Sequence, residues 1–272
     1  MNALKNHLIL FDAECPMCKM YTQSFVSMGI LEKEGRTSYQ ELPEQACPML
    51  DRQRAVNEIA MVNQETGEVS YGIQSLFKIF GVAIPFLRPL FEFTPFVWLM
   101  SKIYAFISYN RRVIIPPMTT ESGLQPTFRL GYRIAYLIFT WVVTAYILSA
   151  YAASMDGLLP EDHLYREYLV CGGQILFQGI VIGFVDKEQR WVYLGNMMTI
   201  SFAGALLLLP GVFVYRHFDL NVIYYAAWFM FVAGLMFLEH IRRSRLLTLG
   251  WIMTISWVTY RIFVLLLIML TK

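Results

Sequence analysis

The apolar positions of this chain change their period several times, and each change marks an element. Leu8-Ile9-Leu10-Phe11 is a continuous apolar run of the kind that fills a buried strand. From Cys15 to about Met28 the apolar residues Tyr21, Phe25 and Met28 recur at helical spacing, and Gly29 supplies a stop. Thr37–Leu42 alternates as a strand does, and Pro43-Glu44-Gln45 opens a second helix running to about Val56. Glu58–Asn63 and Glu68–Tyr71 flank Gln64-Glu65-Thr66-Gly67, whose glycine suits a positive φ, so this pair predicts a hairpin. Gly72 to Phe80 reads as a further helix.

The resulting order, βαβαββα, suits a small α/β sandwich of the thioredoxin type, although other α/β arrangements share that periodicity. Pro85, Pro89 and Pro95 then break the pattern into a short helix and a longer one, Pro95–Tyr109. At about 15 residues with Lys102 inside it, the longer piece is short of the ~20 needed to span a bilayer. It predicts a helix covering the head, at the level of the membrane interface. Ile115–Pro126, with Pro116-Pro117 and Gly123, reads as a linker. Five long apolar segments follow, near 131–153, 167–185, 192–215, 220–239 and 247–270, each long enough to cross a membrane as a helix. The expected division is a head over 1–115, a linker over 116–128 and an all-α transmembrane bundle of about five helices over 129–272.

Composition agrees: 57% of residues are hydrophobic and 15% charged, and the charges concentrate in the first 80 residues. A net charge of +2 gives no reason to expect a nucleic-acid partner. Arg111, Arg112, Arg129 and Arg133 precede the first span, Lys187 and Arg190 follow the second, and Arg242, Arg243 and Arg245 follow the fourth. The other side has Arg166, Arg216 and Lys272 beside Asp156, Glu161, Asp162 and Glu167. This bias predicts a multi-pass inner or cell membrane protein with a cytoplasmic head and an outside C-terminus. The apolar run at His7–Phe11 is too short for a signal peptide, and Asp12 and Glu14 follow it at once.

The chemistry concentrates in Cys15-Pro16-Met17-Cys18, placed where the first strand gives way to the first helix. Residues three apart share a helix face, so the two thiols can close a disulfide ring. Cys15 sits at the positive helix end, which favours a thiolate, and Pro16 suits the first helical position. The same pair could instead be half of a zinc site, for which His7 and Cys47 are the other candidate ligands. Cys47 reads as a buried free thiol in the second helix, and Cys171 as packing beside Gly172 and Gly173 in the second span.

The run Leu10-Phe11-Asp12-Ala13-Glu14-Cys15-Pro16-Met17-Cys18 resembles the signature of the DCC family of thiol-disulfide oxidoreductases. The likeness extends to Thr66-Gly67-Glu68-Val69-Ser70-Tyr71-Gly72 and to Ile103–Arg112, which is similar to the family's closing Tyr…Asn-Arg element. Ala13 stands where that family usually has glycine. The resemblance, over about residues 7–115, implies a thioredoxin-like fold and protein-disulfide reductase activity with no cofactor or metal. Its substrate would be a protein or small-molecule disulfide. In that scheme Cys15 is the exposed nucleophile and Cys18 resolves the mixed disulfide. Asp12 takes the Cys18 proton or caps the loop as an Asx turn. Pro16 and Arg111 are expected to border the substrate, Arg111 reaching a substrate carboxylate or the Cys15 thiolate, unless it anchors the head at the membrane's inner face.

In the bundle, Arg261 falls near the middle of the fifth span, where an unpaired guanidinium is costly. Gln174 and Gln178 share a face of the second span and are its expected partners, either in structural pairing or around a quinone, lipid headgroup or other anion. Two rival readings follow from these features. One is a redox-sensing membrane carrier or transporter, since a single span would anchor a head. The other is a non-catalytic scaffold whose Cys-x-x-Cys binds metal. The sequence leaves oligomeric state open.

Overall fold

The structure, a computed structural model, describes residues 4–43, 47–118, 124–158, 160, 165–218 and 220–270. Of the positions weighed above, Glu44, Gln45, Gly123, Glu161, Asp162 and Lys272 lie outside the described residues. The chain divides into two compact units, Met1–Tyr132 and Arg133–Lys272.

The first unit is built on a four-stranded sheet in the order β2-β1-β3-β4. Its strands are β1 (His7–Phe11), β2 (Arg36–Ser38), β3 (Ala60–Asn63) and β4 (Val69–Tyr71). Strand β1 runs parallel to β2, with Phe11 opposite Ser38, and antiparallel to β3, with Leu10 opposite Ala60. The helices are α1 (Pro16–Ser27), α2 (Arg52–Asn57) and α3 (Ile73–Ala83), so the order βαβαββα is the observed one. Because β1 is central, both its faces are covered, and alternate residues serve opposite cores. Ile9 packs with Phe25, Met61 and Ile79, whereas Leu10 packs with Leu50, Ala55 and Val62. The hairpin turn carries Gly67 at φ +71.

Strand β2 ends at Ser38 and does not run to the expected Leu42, and two helices of this unit differ from expectation by more than a turn. The second helix does not cover Cys47; α2 begins only at Arg52, where Asp51 caps it by accepting the Arg54 N–H at 2.9 Å. Pro48, which has no N–H to give a helix interior, lies in the irregular stretch, and half-buried Cys47 packs beside the Leu10 core there. The other difference is the helix after Pro95. A short α4 (Arg88–Glu92) meets α5 (Thr94–Ile114) at a 90° bend, and α5 is 21 residues long, not about 15. Taken together the bent pair also has the length and composition of a broken span.

Helix α5 is held to the sheet by specific contacts. Phe77 of α3 stacks on Phe91 at 4.6 Å and on Phe96 at 5.8 Å between centroids. The Tyr104 hydroxyl accepts the Ile59 N–H at 2.8 Å, and the Ser108 hydroxyl donates to the Asn57 carbonyl. Leu99, Ile103 and Ile107, four residues apart, are exposed along one stripe. The described part of the expected linker is strapped onto this unit. Tyr39 donates to the Leu124 carbonyl at 3.4 Å, and Asn57 and Thr127 bond each other through both side chain and backbone.

The second unit holds five helices long and apolar enough to cross a membrane, as expected: Leu130–Met155, Arg166–Val185, Arg190–His217, Val222–Leu246 and Gly250–Leu270. Their α-helical parts are α6 (Leu130–Ala152), α7 (Arg166–Val185), α8 (Arg190–His217), α9 (Val222–Leu246) and α10 (Gly250–Leu270). The chain is thus a multi-pass membrane protein by its architecture. One core gathers Ile182, Tyr193, Met197, Met253 and Trp257, and a second gathers Tyr151, Leu208, Tyr225 and Val232.

Gly72 precedes α3 at φ +60 and ψ −133, and a Cβ there would come within 2.7 Å of the Glu58 carboxylate. Gly72→Ala is therefore expected to destabilise the first unit by about 1–3 kcal/mol, from backbone strain and the displaced carboxylate. A thermal melt against wild type checks this; an unchanged midpoint would refute it.

Candidate functional site

Strand β1 delivers Asp12 and the two thiols to one corner of the first unit. After Phe11 the chain turns on Asp12, whose carbonyl accepts the Cys15 N–H at 3.1 Å and whose Oδ1 accepts the Glu14 N–H at 3.0 Å. Cys15 is the N-cap of α1, in extended conformation at φ −91 and ψ 109, and Pro16 occupies the first turn. The Cys15 sulfur takes the place a cap oxygen normally has, accepting the Cys18 N–H at 3.3 Å. All four cysteines are free.

Capping has a consequence for access. A cap side chain folds back over the helix end, so Cys15 is 0% exposed and Cys18 5% exposed. The expectation of an exposed Cys15 is thereby corrected. Phe11, Met17 and Tyr21 close over the pair. Beside it, an open depression of about 520 Å³ is lined by Pro16, Lys19, Met20, Gln23 and Arg36.

Arg111 comes from the far end of α5 and is 5% exposed, buried within the unit. Its Nη2 donates to Asp12 Oδ2 at 3.1 Å and to the Val56 carbonyl at 2.6 Å, and its Nη1 donates to the Asn57 carbonyl at 3.1 Å. Arg112 Nη2 bridges Asp12 Oδ2 at 3.0 Å and Glu14 Oε2 at 3.1 Å. Gln40 completes the ring, donating to Asp12 Oδ1 at 3.0 Å while accepting the Ala13 N–H at 3.1 Å. Gln125, in the strap, bonds Arg112 and Glu14. Asp12 thus fills its Asx-turn role and an ion-pair role at once. The Nε–H groups of Arg111 and Arg112 are buried without a partner among the described residues.

These contacts separate the two thiols electrostatically. The Cys18 thiol hydrogen-bonds the Cys15 sulfur and lowers its pKa to about 7; burial opposes this, and the Arg111 charge and the Cys18 N–H reinforce it. Cys18 moves the other way, its proton held against the Cys15 sulfur, with burial adding to the effect. Burial also opposes ionisation of Asp12, but the Arg111 and Arg112 guanidiniums outweigh it and hold the carboxyl below its ordinary value. An acid held that low is a weak base.

Several site residues were not singled out from sequence. Arg112 and Tyr104 lie in the segment that carries the family likeness, which was a usable signal. Gln40 and the carbonyls of Val56 and Asn57 had none, because only the fold brings them to Asp12 and Arg111. His7 and Cys47 do not join the cysteines: among the described residues no group of three or more His, Cys, Asp or Glu side chains is placed to hold a metal ion.

In the second unit the expected pairing of Arg261 with Gln174 and Gln178 is not observed. Gln178 Oε1 instead accepts from the Tyr193 hydroxyl at 2.8 Å and from the Ser256 hydroxyl at 3.3 Å, which completes its carbonyl valences. Tyr193 also meets His240 Nε2 at 3.2 Å. Arg261 lies over the Trp257 ring at 4.1 Å and reaches the Ser201 hydroxyl at 3.5 Å. Gln174 Nε2 has no partner among the described residues.

The chain matches no family model, no curated protein and no solved structure.

The shifted Cys15 thiol gives a direct expectation. With Cys47 and Cys171 replaced by Ser, iodoacetamide should alkylate Cys15 with a midpoint near pH 7, losing about tenfold in rate per pH unit below it. Arg111→Gln should raise that midpoint by about one unit, since it removes a nearby positive charge. A wild-type midpoint at the ordinary thiol value of about 8.5 would refute the assignment.

Proposed function

We propose that the first unit is a thioredoxin-like thiol-disulfide oxidoreductase that reduces disulfides from the cytoplasmic face of the membrane. The observation that carries this reading is the N-cap geometry of Cys15. Its sulfur accepts the Cys18 N–H beside a buried guanidinium, while Cys18 keeps its proton. The strand order, with β1 parallel to β2 and antiparallel to β3, and β3 antiparallel to β4, supports the thioredoxin-like assignment. So does the placement of the pair at the junction of β1 and α1.

The chemistry runs in two exchanges. The Cys15 thiolate attacks one sulfur of the substrate disulfide, forming a mixed disulfide and expelling the other sulfur as a thiolate that takes up a proton from water. Cys18 then attacks the Cys15 sulfur, closing the Cys15–Cys18 disulfide, while its proton passes through water to the departing substrate sulfur, which leaves as a thiol. An external dithiol must return the two electrons. Asp12, held ionised by two arginines, is a weaker base than a free carboxylate, and its part is to position Arg111. Attack requires Cys15 to be uncovered, and the depression beside Pro16 and Met20 offers the adjoining surface for a substrate.

The orientation rests on the arginines and lysines outside the site. Arg129, Arg133, Lys187, Arg190, Arg242, Arg243 and Arg245 lie at one set of helix ends, Arg166 and Arg216 at the other. A metal-binding scaffold would need further ligands beside Cys15 and Cys18, and the described residues group none with them.

The test is exchange itself, on the full chain in detergent with dithiothreitol as reductant. Cys15→Ser should abolish reduction of insulin disulfides, and Cys18→Ser should accumulate mixed disulfides visible on non-reducing gels. Wild-type turnover in both variants would overturn the reading.

A further inference from the structure

We propose that Gln174, Trp257 and Arg261 form a binding site for an oxyanion group, a carboxylate or phosphate, in the middle of the membrane bundle. The inference is independent of the thiol chemistry.

Depth is the first consideration. Arg261 lies 11 residues into the 21-residue α10, about 16 Å along it at 1.5 Å per residue. Gln174 lies eight residues into the 20-residue α7, and Ser201 lies 11 residues into the 28-residue α8. These positions fall near the centre of a hydrocarbon layer about 30 Å thick, where an uncompensated guanidinium is most costly.

No compensating acid is at hand. Among the described residues Arg261 makes no salt bridge; its guanidinium lies over the Trp257 ring and makes one long hydrogen bond, to Ser201. Of the described acids nearest the membrane-spanning helices, Glu167 pairs with Arg166 at 2.8 Å, and Glu239 takes Arg242 and Arg243 at 2.6 and 2.7 Å. Asp186 accepts three N–H groups of the turn before α8.

Three donors are left over in the same layer. Arg261 Nε, Trp257 Nε1 and Gln174 Nε2 are buried with no hydrogen-bond partner among the described residues; Gln174 is 4% exposed and Trp257 3% exposed. Trp257 and Arg261 are one turn apart on α10, and α7 is pressed against that helix. Tyr260 donates to the Val170 carbonyl at 2.9 Å, Gln178 meets Ser256, and a side chain at Gly173 would collide with the Tyr260 hydroxyl. Elsewhere among the described residues this bundle satisfies its buried polar side chains apart from the Thr144 hydroxyl, as the Tyr193, His240 and Gln178 network shows. Here donors alone remain, with a positive charge among them. Their complement is an acceptor carrying negative charge. A water molecule could accept a hydrogen bond but would leave the charge standing.

Such an oxyanion can come laterally, as the head of a fatty acid, or from the aqueous phase as a small soluble anion. Both are tested on purified full-length protein in a neutral detergent, by thermal unfolding followed through tryptophan fluorescence. The probes are sodium octanoate, inorganic phosphate and, as a neutral control, octanol, at matched ionic strength. The expected result is a saturable rise of the midpoint by roughly 2–4 °C with octanoate or phosphate. Octanoate alone identifies a bilayer-borne acid, and phosphate alone a soluble anion. The rise should vanish in Arg261→Gln and fall to half or less in Gln174→Leu, which serves alone if the first variant does not fold. Octanoate and phosphate both without effect, octanol matching octanoate, or an undiminished rise in Gln174→Leu would each overturn the proposal.

Discussion

The first unit depends on one buried ion pair. Asp12 and Arg111 are 99 residues apart in sequence, and both are almost completely withdrawn from water. Two charges taken from water cost several kcal/mol each, and their mutual attraction offsets that only if the remaining valences are filled. Here all but the Nε–H groups of Arg111 and Arg112 are filled. Asp12 takes Arg112, Gln40 and the Glu14 N–H, and Arg111 spends its other donors on the carbonyls of Val56 and Asn57 at the end of α2. Helix α5 is consequently part of the head's core, and β1, α2 and α5 are fixed relative to one another at the point where the thiols sit. Loss of either partner would leave a buried charge, at a cost of about 3–5 kcal/mol.

The membrane unit obeys the same accounting of charge and hydrogen bonds by different means. At the end of α9, Glu239 neutralises two arginines, and Arg243 also donates to Asn196 at 2.9 Å. At the same helix ends the bundle also uses neutral groups that can both give and accept, Tyr193, His240, Thr254, Ser244 and Ser256. Chains of hydroxyls and imidazole close on themselves without net charge, which suits a medium of low dielectric constant. Arg261 breaks this rule. A residue that violates the surrounding pattern at that depth is better explained by what it holds than by what it stabilises.

Much of this was legible in the sequence, because strong periodicity and strong punctuation survive tertiary packing. The continuous apolar run Leu8–Phe11 marked a buried strand, which the fold flanks on both sides; Gly67 marked the hairpin, and five long apolar runs became five helices. Legibility failed where one local signal outweighed another. Pro43 looked like a helix start, yet the Asp51 cap with Pro48 before it set the start of α2 nine residues later. Tyr109 looked like a helix end, while α5 runs on to Ile114 because Arg111 is held in place by partners far away in sequence. The same long-range geometry explains the site. Cys15, Pro16 and Asp12 could be read from spacing, but the part of Gln40 and the burial of Cys15 arise only when the fold is complete.

The Cys15 cap also bears on proton traffic. With one sulfur losing its proton near pH 7 and the other retaining it well above, the reduced pair carries a single proton over the alkaline range. On the proposed chemistry, closing or opening the disulfide there moves two electrons with one proton. The midpoint potential then falls by about 30 mV per pH unit, against about 60 mV below neutrality where two protons move. A sulfur held as a helix cap thus halves the sensitivity of the dithiol's driving force to alkaline drift.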